Sequence, residues 1–533
     1  MELSGMKKRL CVLALLVISA SLMLGTPAPA QSQIQEIRIG DSKGDWGYPN
    51  PYRHYPRGPG YIRMSWVFDT LVWKDREGYV PALADSWSYD SAKLAFTFHL
   101  NPKAKWHDLK PLTAEDVAFT IEYFKKHPYS WISVDDVSRA EALGPHKVII
   151  YLSKPYAPFI SDIGGTMPVL PKHIWQSVDN PGAYDDPKAF VGSGPYRFMD
   201  FNKAQGTYLY EAFEEHYRGR PKADRLIYVR TGQPLISLSN RQVDLASIQP
   251  DMAEPLKQKG LVVLKDERGW NKKLMINHKK APYSDRRFRH ALAFAINQQE
   301  IIDKSHRGFA MPASYGLLSP DHDMYNPNTP SYAFSLEKAR ALLETMGYQK
   351  GADGYYGKGG QALKIELLSS NITVAGQSVA DRDGEVIKKQ LEQIGIKVDL
   401  VNLEQATTDS KVKTWNFDLA VSGHGGVSGD ARILNEMILS KYGAGSVNSA
   451  RYDEDAELAA LLEEQMLEMD EGKRKKIVYK IQEVYAQVLP AISLYYPDSM
   501  SAYSAEKGIV WYYTKGGISK GIPIPQNKMS LIK

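Results

Sequence analysis

The segment from Asp45 to Tyr61 concentrates side chains able to grip a small molecule. Trp46, Tyr48, Tyr52, Tyr55 and Tyr61 surround Arg53 and Arg57 there, interrupted by four prolines. Aromatic rings offer stacking faces with polar tips, and a guanidinium can hold a carboxylate through two parallel bonds. The same loop could instead pack on its own rings, with Arg57 holding backbone. His424 is the second feature: glycines on both sides leave room for a bulky ligand, and the imidazole suits a metal chelate or a sugar hydroxyl. One histidine cannot hold a bare ion, so a metal would have to arrive already chelated.

Catalytic patterns fail on spacing. His424-Gly-Gly-Val427 has the composition of an oxyanion loop, but that chemistry also needs Gly-x-Ser-x-Gly. Gly426-Val-Ser428-Gly-Asp430 puts aspartate where the last glycine belongs. The twelve histidines contain no His-Glu-x-x-His. Gly351–Lys358 misses the phosphate-loop spacing and reads as a glycine-rich hairpin turn. Asp135-Asp136 and Glu463-Glu464 read as solvated faces. Nothing in these patterns points to an enzyme.

The chain has 533 residues, 43% hydrophobic, 24% charged and 11% aromatic, an ordinary globular mixture of about three domains. Its net charge of +5 comes from 66 basic and 61 acidic residues, too balanced to imply a nucleic-acid partner. Lys7, Lys8 and Arg9 precede an apolar run from Leu10 to Leu24, and Ala28-Pro29-Ala30 supplies a small-residue cleavage site. The run is shorter than the ~20 residues of a spanning helix, so residues 1–30 read as a signal peptide. Their removal leaves 63 basic and 60 acidic residues. The sole cysteine, Cys11, opens the apolar run rather than ending it, which argues against a lipid anchor. The expected product is soluble, periplasmic and free of disulfides.

Elements that must position these side chains follow from periodicity. Ile34–Ile39, Leu94–Leu100 and Lys147–Leu152 read as strands, and Thr113-Ala-Glu-Asp116 as a capping box opening a helix through Phe124. Beyond Ile276, helices are expected at Ser284–Asn297, Ser335–Met346, Gly384–Ile394, Asp455–Met469 and Gly472–Gln487. Strands at Leu363–Leu368, Ile396–Leu403 and Phe417–Ser422 lie between them, an alternation that argues for βαβ units in an α/β fold.

Five stretches carry a resemblance. They are Pro81–Trp87 with Phe96–Leu100; Trp106-His-Asp108 with Leu112–Val117; Val191-Gly-Ser-Gly-Pro-Tyr-Arg-Phe198; Ile276-Asn277 with Ser284–Leu292; and Leu391–Val398. In this order they resemble the extracytoplasmic solute-binding proteins of ABC importers, in the peptide/nickel-type family 5. The resemblance covers roughly residues 35–500 and implies a two-lobed periplasmic binding protein fold, with a hinge and an extra domain inserted in the first lobe. Lobe I would comprise 31–75, 191–274 and 496–533, with the insertion at 76–190 and lobe II at 275–495. Hinge strands would fall near Leu274–Asn277 and Ile492–Tyr496. Such a protein has no catalysis or cofactor of its own, works as a monomer, and delivers its solute to an inner-membrane permease.

By the same resemblance, Asp45, Trp46, Tyr48 and Arg57 should lie beside the cleft. Trp270 and Tyr495 should adjoin the hinge strands, with His424 and Asp430 in the main ligand-contacting strand and loop. Peptide binders place an amine-anchoring aspartate where Val427 stands here, leaving Asp430 or Asp45 to substitute. A buried, unpaired ammonium costs several kcal/mol, whereas micromolar binding supplies only about 8 kcal/mol in total. A di- or oligopeptide is the default ligand, with a nickel or metal–chelate complex and an oligosaccharide as alternatives. An exported hydrolase is the alternative of a different class. Thermal unfolding of the chain cleaved after Ala30 should be indifferent to reductant; a large shift would contradict the disulfide-free reading.

Overall fold

The computed structural model describes residues 33–374, 377–443 and 446–532. The expected signal peptide lies outside them. Two seven-stranded sheets organise the chain. The first runs in the order 262–265, 500–503, 245–248, 34–41, 223–230, 207–212 and 196–202. Ile34–Asp41 lies parallel to both Ala223–Arg230 and Leu245–Ile248 and buries Ile37 and Ile39 completely. The second sheet runs 310–312, 491–497, 270–276, 419–425, 364–374 and 377–380, with 397–403 also paired to 364–374.

A four-stranded antiparallel sheet, 84–90, 95–100, 147–152 and 137–142, occupies the span expected for the inserted domain. Phe96, Phe98 and Leu100 are buried along Ala95–Leu100 while His99 faces water, the period of a half-buried strand. Ala114–Lys126 packs beside this sheet, and the Thr113–Asp116 capping box that starts it is formed. The core of this region is continuous with that of the first sheet, joining Phe96 and Val148 to Ile37 and Trp66.

Backbone proximity explains the Gly192-Ser-Gly-Pro195 turn. A Cβ on Gly192 would sit 1.9 Å from the Val67 carbonyl oxygen, and one on Gly194 2.4 Å from that of Trp66. Without side chains, Gly194 donates its N–H to Val67 at 2.8 Å. His107 clasps the turn from the other side, donating its backbone N–H to Gly192 at 2.8 Å and placing Nε2 2.9 Å from the Gly194 carbonyl. Two of the motifs that carry the family resemblance are thus one packing unit.

Among the described residues the chain passes between the two seven-stranded sheets twice, at 266–269 and at 498–499. The expected hinge strands, Leu274–Asn277 and Ile492–Tyr496, lie inside the second sheet: Trp270–Ile276 pairs there with both 419–425 and 491–497. Residues 270–276 and 491–497 are thus strands of the second sheet. Apolar alternation marks a strand but not the sheet that receives it.

The C-terminal segment returns to the first lobe and is fastened there by charge. Lys528 pairs with Asp69, with 2% and 1% of their side chains exposed. Asp69 also accepts from the Tyr217 hydroxyl at 2.8 Å, and the ammonium lies 3.8 Å from the centre of the Trp73 ring. Breaking a buried pair by removing one partner typically costs about 3–5 kcal/mol. Lys528→Met should destabilise the protein by that order in urea unfolding; a change under about 1 kcal/mol would show that Lys528 is dispensable.

Candidate functional site

Strand Leu419–Gly425 carries His424 to a cavity of about 900 Å³ between the lobes. First-lobe walls come from Lys43, Trp46, the Tyr55–Pro59 turn, Trp131 and Asp162, and from a C-terminal loop at Lys520–Ile524. The second lobe adds Trp270, Lys272, Asp381, Ser422–Gly426, Asp430, Arg432, Glu436 and Asn448.

Five of the eight expected site residues line this cavity: Trp46, Arg57, Trp270, His424 and Asp430. Three do not. Asp45 caps the backbone N–H of Gly47 and stands 3.8 Å from Lys203. Tyr48 packs its ring against Phe190 and Phe201 under the Arg53 guanidinium. Tyr495 is buried, donating its hydroxyl to Asp383 at 2.5 Å, with its ring 4.4 Å from that of His306. The aromatic loop thus splits: Trp46 and Tyr55 face the cavity, while Tyr48, Tyr52 and Tyr61 build first-lobe packing.

The glycines around His424 serve Trp270. Its indole lies across them, so a Cβ on Gly423 would fall 2.3 Å from Nε1 and one on Gly425 3.1 Å from Cε3. The room expected there for a bulky ligand is taken by this ring, which keeps 40% of its surface exposed. On the other side, Ser422 donates its hydroxyl to Asn448 at 2.8 Å. Beyond Ala420 no strand pairs with the edge of 419–425 that faces 364–374, so backbone groups there border the cavity unpaired by any strand.

His424 Nδ1 lies 2.7 Å from the Gly425 carbonyl oxygen. Only N–H can make that contact productive, so Nδ1 carries the proton and Nε2 keeps its lone pair. Burial first, then the nearby Lys273, push the imidazole down to about 4, outweighing the Gly425 carbonyl and Glu436, with Arg57 adding the least. It is therefore neutral at ordinary pH and able to ligate.

Most charges in the wall are already matched. Arg432 meets Asp162 at 3.0 Å and also pairs with Glu436. Lys520 meets Glu436 at 3.3 Å, and Lys272 meets Asp381 at 2.8 Å. Burial would raise the Glu436 carboxyl, but Lys520 and Arg432 override it and hold it at about 2. Asp430, expected as a replacement amine anchor, is gripped by both terminal nitrogens of Arg474, at 2.8 and 2.5 Å. That pairing overrides burial and holds it at about 2. Val427 is fully buried in an apolar cluster. Arg57 stands apart: among the described residues no carboxylate pairs with it, and its charge acts on His424. Lys43 has only rings, lying 4.0 Å from the centre of Tyr55 and 4.4 Å from that of Trp46.

Residues 78–446 match the model of the bacterial extracellular solute-binding proteins, family 5. The chain belongs to that family. It is 26% identical to the heme-binding protein A of Haemophilus influenzae over 449 residues, covering 77% of this chain and 78% of that protein. It is also 26% identical to the dipeptide-binding protein of Escherichia coli over 382 residues, 66% of this chain and 68% of the other. In three dimensions it superposes on NikZ from Campylobacter jejuni, solved with Ni(L-His), with a TM-score of 0.76 at 24% identity, covering 91% of this chain and 97% of that one. AppA from Bacillus subtilis, solved with a nonapeptide, gives 0.73 at 21% identity, covering 94% and 99%. The two-lobed binding-protein fold and the solute-binding role expected from sequence stand on these matches. Among the described residues, no helix is long and apolar enough to cross a membrane.

Trp131, Arg432, Glu436 and Lys520 were absent from the expected site. None sits in a motif; Arg432 and Glu436 follow Asp430 closely in the chain, whereas Trp131 and Lys520 reach the cavity from segments distant in sequence. In a nuclear magnetic resonance titration the His424 imidazole should remain neutral until the pH approaches about 4; a midpoint near the ordinary 6.5 would contradict the burial argument.

Proposed function

We propose that this family 5 protein, exported by its signal peptide, hands its solute to an ABC importer, and that the solute is a metal ion wrapped in a carboxylate-bearing chelator. The observation that carries this reading is the pair of unspent groups in the cavity: the neutral His424 imidazole with Nε2 free, and the Arg57 guanidinium without a carboxylate partner. Imidazole is a good ligand for nickel, copper and iron, and guanidinium binds carboxylate through two bonds. Among the described residues no cluster of three or more metal-binding side chains exists. The remaining ligands must then come from the chelator. His424 bonds to a backbone carbonyl rather than to a serine hydroxyl, which favours binding over hydrolysis.

A peptide is the second reading, favoured by the strand-free edge of Leu419–Gly425 and by Asp409, a cavity-lining acid that no cation pairs with. An extended peptide could add its backbone to such an edge. Its ammonium would have to reach Asp409, since Val427 and Asp430 are unsuited to the task.

Calorimetry on the chain cleaved after Ala30 separates the two. Nickel premixed with histidine should bind, and His424→Ala should weaken that binding at least tenfold. A dipeptide that binds tightly while the chelate does not, or a His424→Ala variant with unchanged chelate affinity, would overturn the proposal in favour of the peptide.

A further inference from the structure

The first of the two crossings between the lobes begins with a buried carboxyl that has no cation. Asp266 is 5% exposed, and its Oδ2 has no hydrogen-bond partner. Its backbone N–H ties it to the second crossing, donating to the Ser499 carbonyl at 2.9 Å. The cations on either side of it are engaged elsewhere. Lys265 pairs with Asp498 at 2.9 Å, and Arg268 holds Asp321 at 2.8 Å while lying 3.5 Å from Asp498. Glu267, next in the chain, accepts the backbone N–H of Gly516 at 2.8 Å. In the C-terminal segment the Tyr513 phenol feels the Asp266 charge, which helps to raise it, and is bonded to Ser501 at 2.9 Å. Every element packed here offers Asp266 either another acid or a neutral group.

We propose that Asp266 is a proton-linked catch in the hinge: closing the lobes takes up a proton at its carboxyl, and opening them releases it. A buried carboxylate without a cation is costly, so the closed hinge holds the neutral acid, and rotation about the crossings would admit water that stabilises the ion. Burial, aided by the negative charges of Glu267 and Asp321, pushes this carboxyl up to about 8, against a smaller opposing bond from the Glu267 backbone. Its ordinary value is 3.8. The closed form therefore holds the extra proton between these two values, so its advantage falls steadily as the pH rises from about 4 to about 8 and is fully lost above that. This linkage belongs to the hinge and holds whichever solute the cavity takes.

Small-angle X-ray scattering on the chain cleaved after Ala30, from pH 5 to pH 9 without solute, tests the catch. The native chain should expand as the pH rises from 5 toward 8 and change no further above it, whereas Asp266→Asn, which mimics the neutral acid, should stay compact throughout. Identical profiles for the two chains would overturn the proposal. Should the variant fold poorly, carboxyl-carbon resonance titration of the native chain decides: a midpoint near 8 supports the catch, and one near 4 refutes it.

Discussion

Arg432 joins the lobes where the cavity closes. Its side chain is only 13% exposed and sits against Asp162, whose side chain is 2% exposed, with Glu436 one helical turn along its own chain. A buried guanidinium is tolerated only where carboxylates surround it. One of these carboxylates belongs to the first lobe, so the match is complete only when the lobes are together. Lys520 repeats the arrangement from the opposite side. It comes from the C-terminal segment of the first lobe, reaches Glu436 of the second, and donates to the Trp131 carbonyl at 2.8 Å. The closed geometry is thus written into ion pairs of the protein itself, and the two thin crossings have only to permit it.

Because those pairs are internally satisfied, they contribute shape and little residual charge to the cavity. Among the described residues the chemistry left for a solute is small and uneven: the Arg57 guanidinium, the neutral His424 imidazole, the Trp270 indole face, the Lys43 ammonium held by two rings, and the Asp409 carboxylate bonded only to Gln405. Such a wall gives a bare ammonium few places to go beyond Asp409. A carboxylate, by contrast, gains a charge-assisted bond without displacing an existing partner.

Local signals in the sequence found the scaffold well. Helices Arg286–Ala295, Leu336–Thr345, Arg382–Gln393, Ala456–Leu467 and Glu471–Val488 lie within two or three residues of their expected spans, because an amphipathic stripe and an N-cap are properties of neighbouring residues. The site was legible only in part. Tyr48 and Trp46 are two residues apart in one aromatic loop, yet one packs on Phe201 and the other lines the cavity. Which ring turns inward depends on Tyr208, whose hydroxyl bonds to the Trp46 N–H and the Gly47 carbonyl from a distant strand. That the expected hinge strands fall within one sheet was not legible for the same reason, since membership of a sheet is decided by the partner strand.

The two positions that looked suited to an amine anchor are both committed to the scaffold. Val427 has joined the apolar cluster that includes Leu434 and Ile481. Asp430 has become the partner of Arg474, which also holds the backbone carbonyl of Gln465 at 2.9 Å. An acid committed to a bidentate guanidinium in a buried setting cannot turn to a solute without leaving that guanidinium uncompensated, which costs more than an ordinary ligand contact returns. Asp430 therefore lines the cavity while its charge serves the scaffold. Among the acids of this wall Asp430 is thus committed to the scaffold, while Arg57 has no carboxylate partner among the described residues.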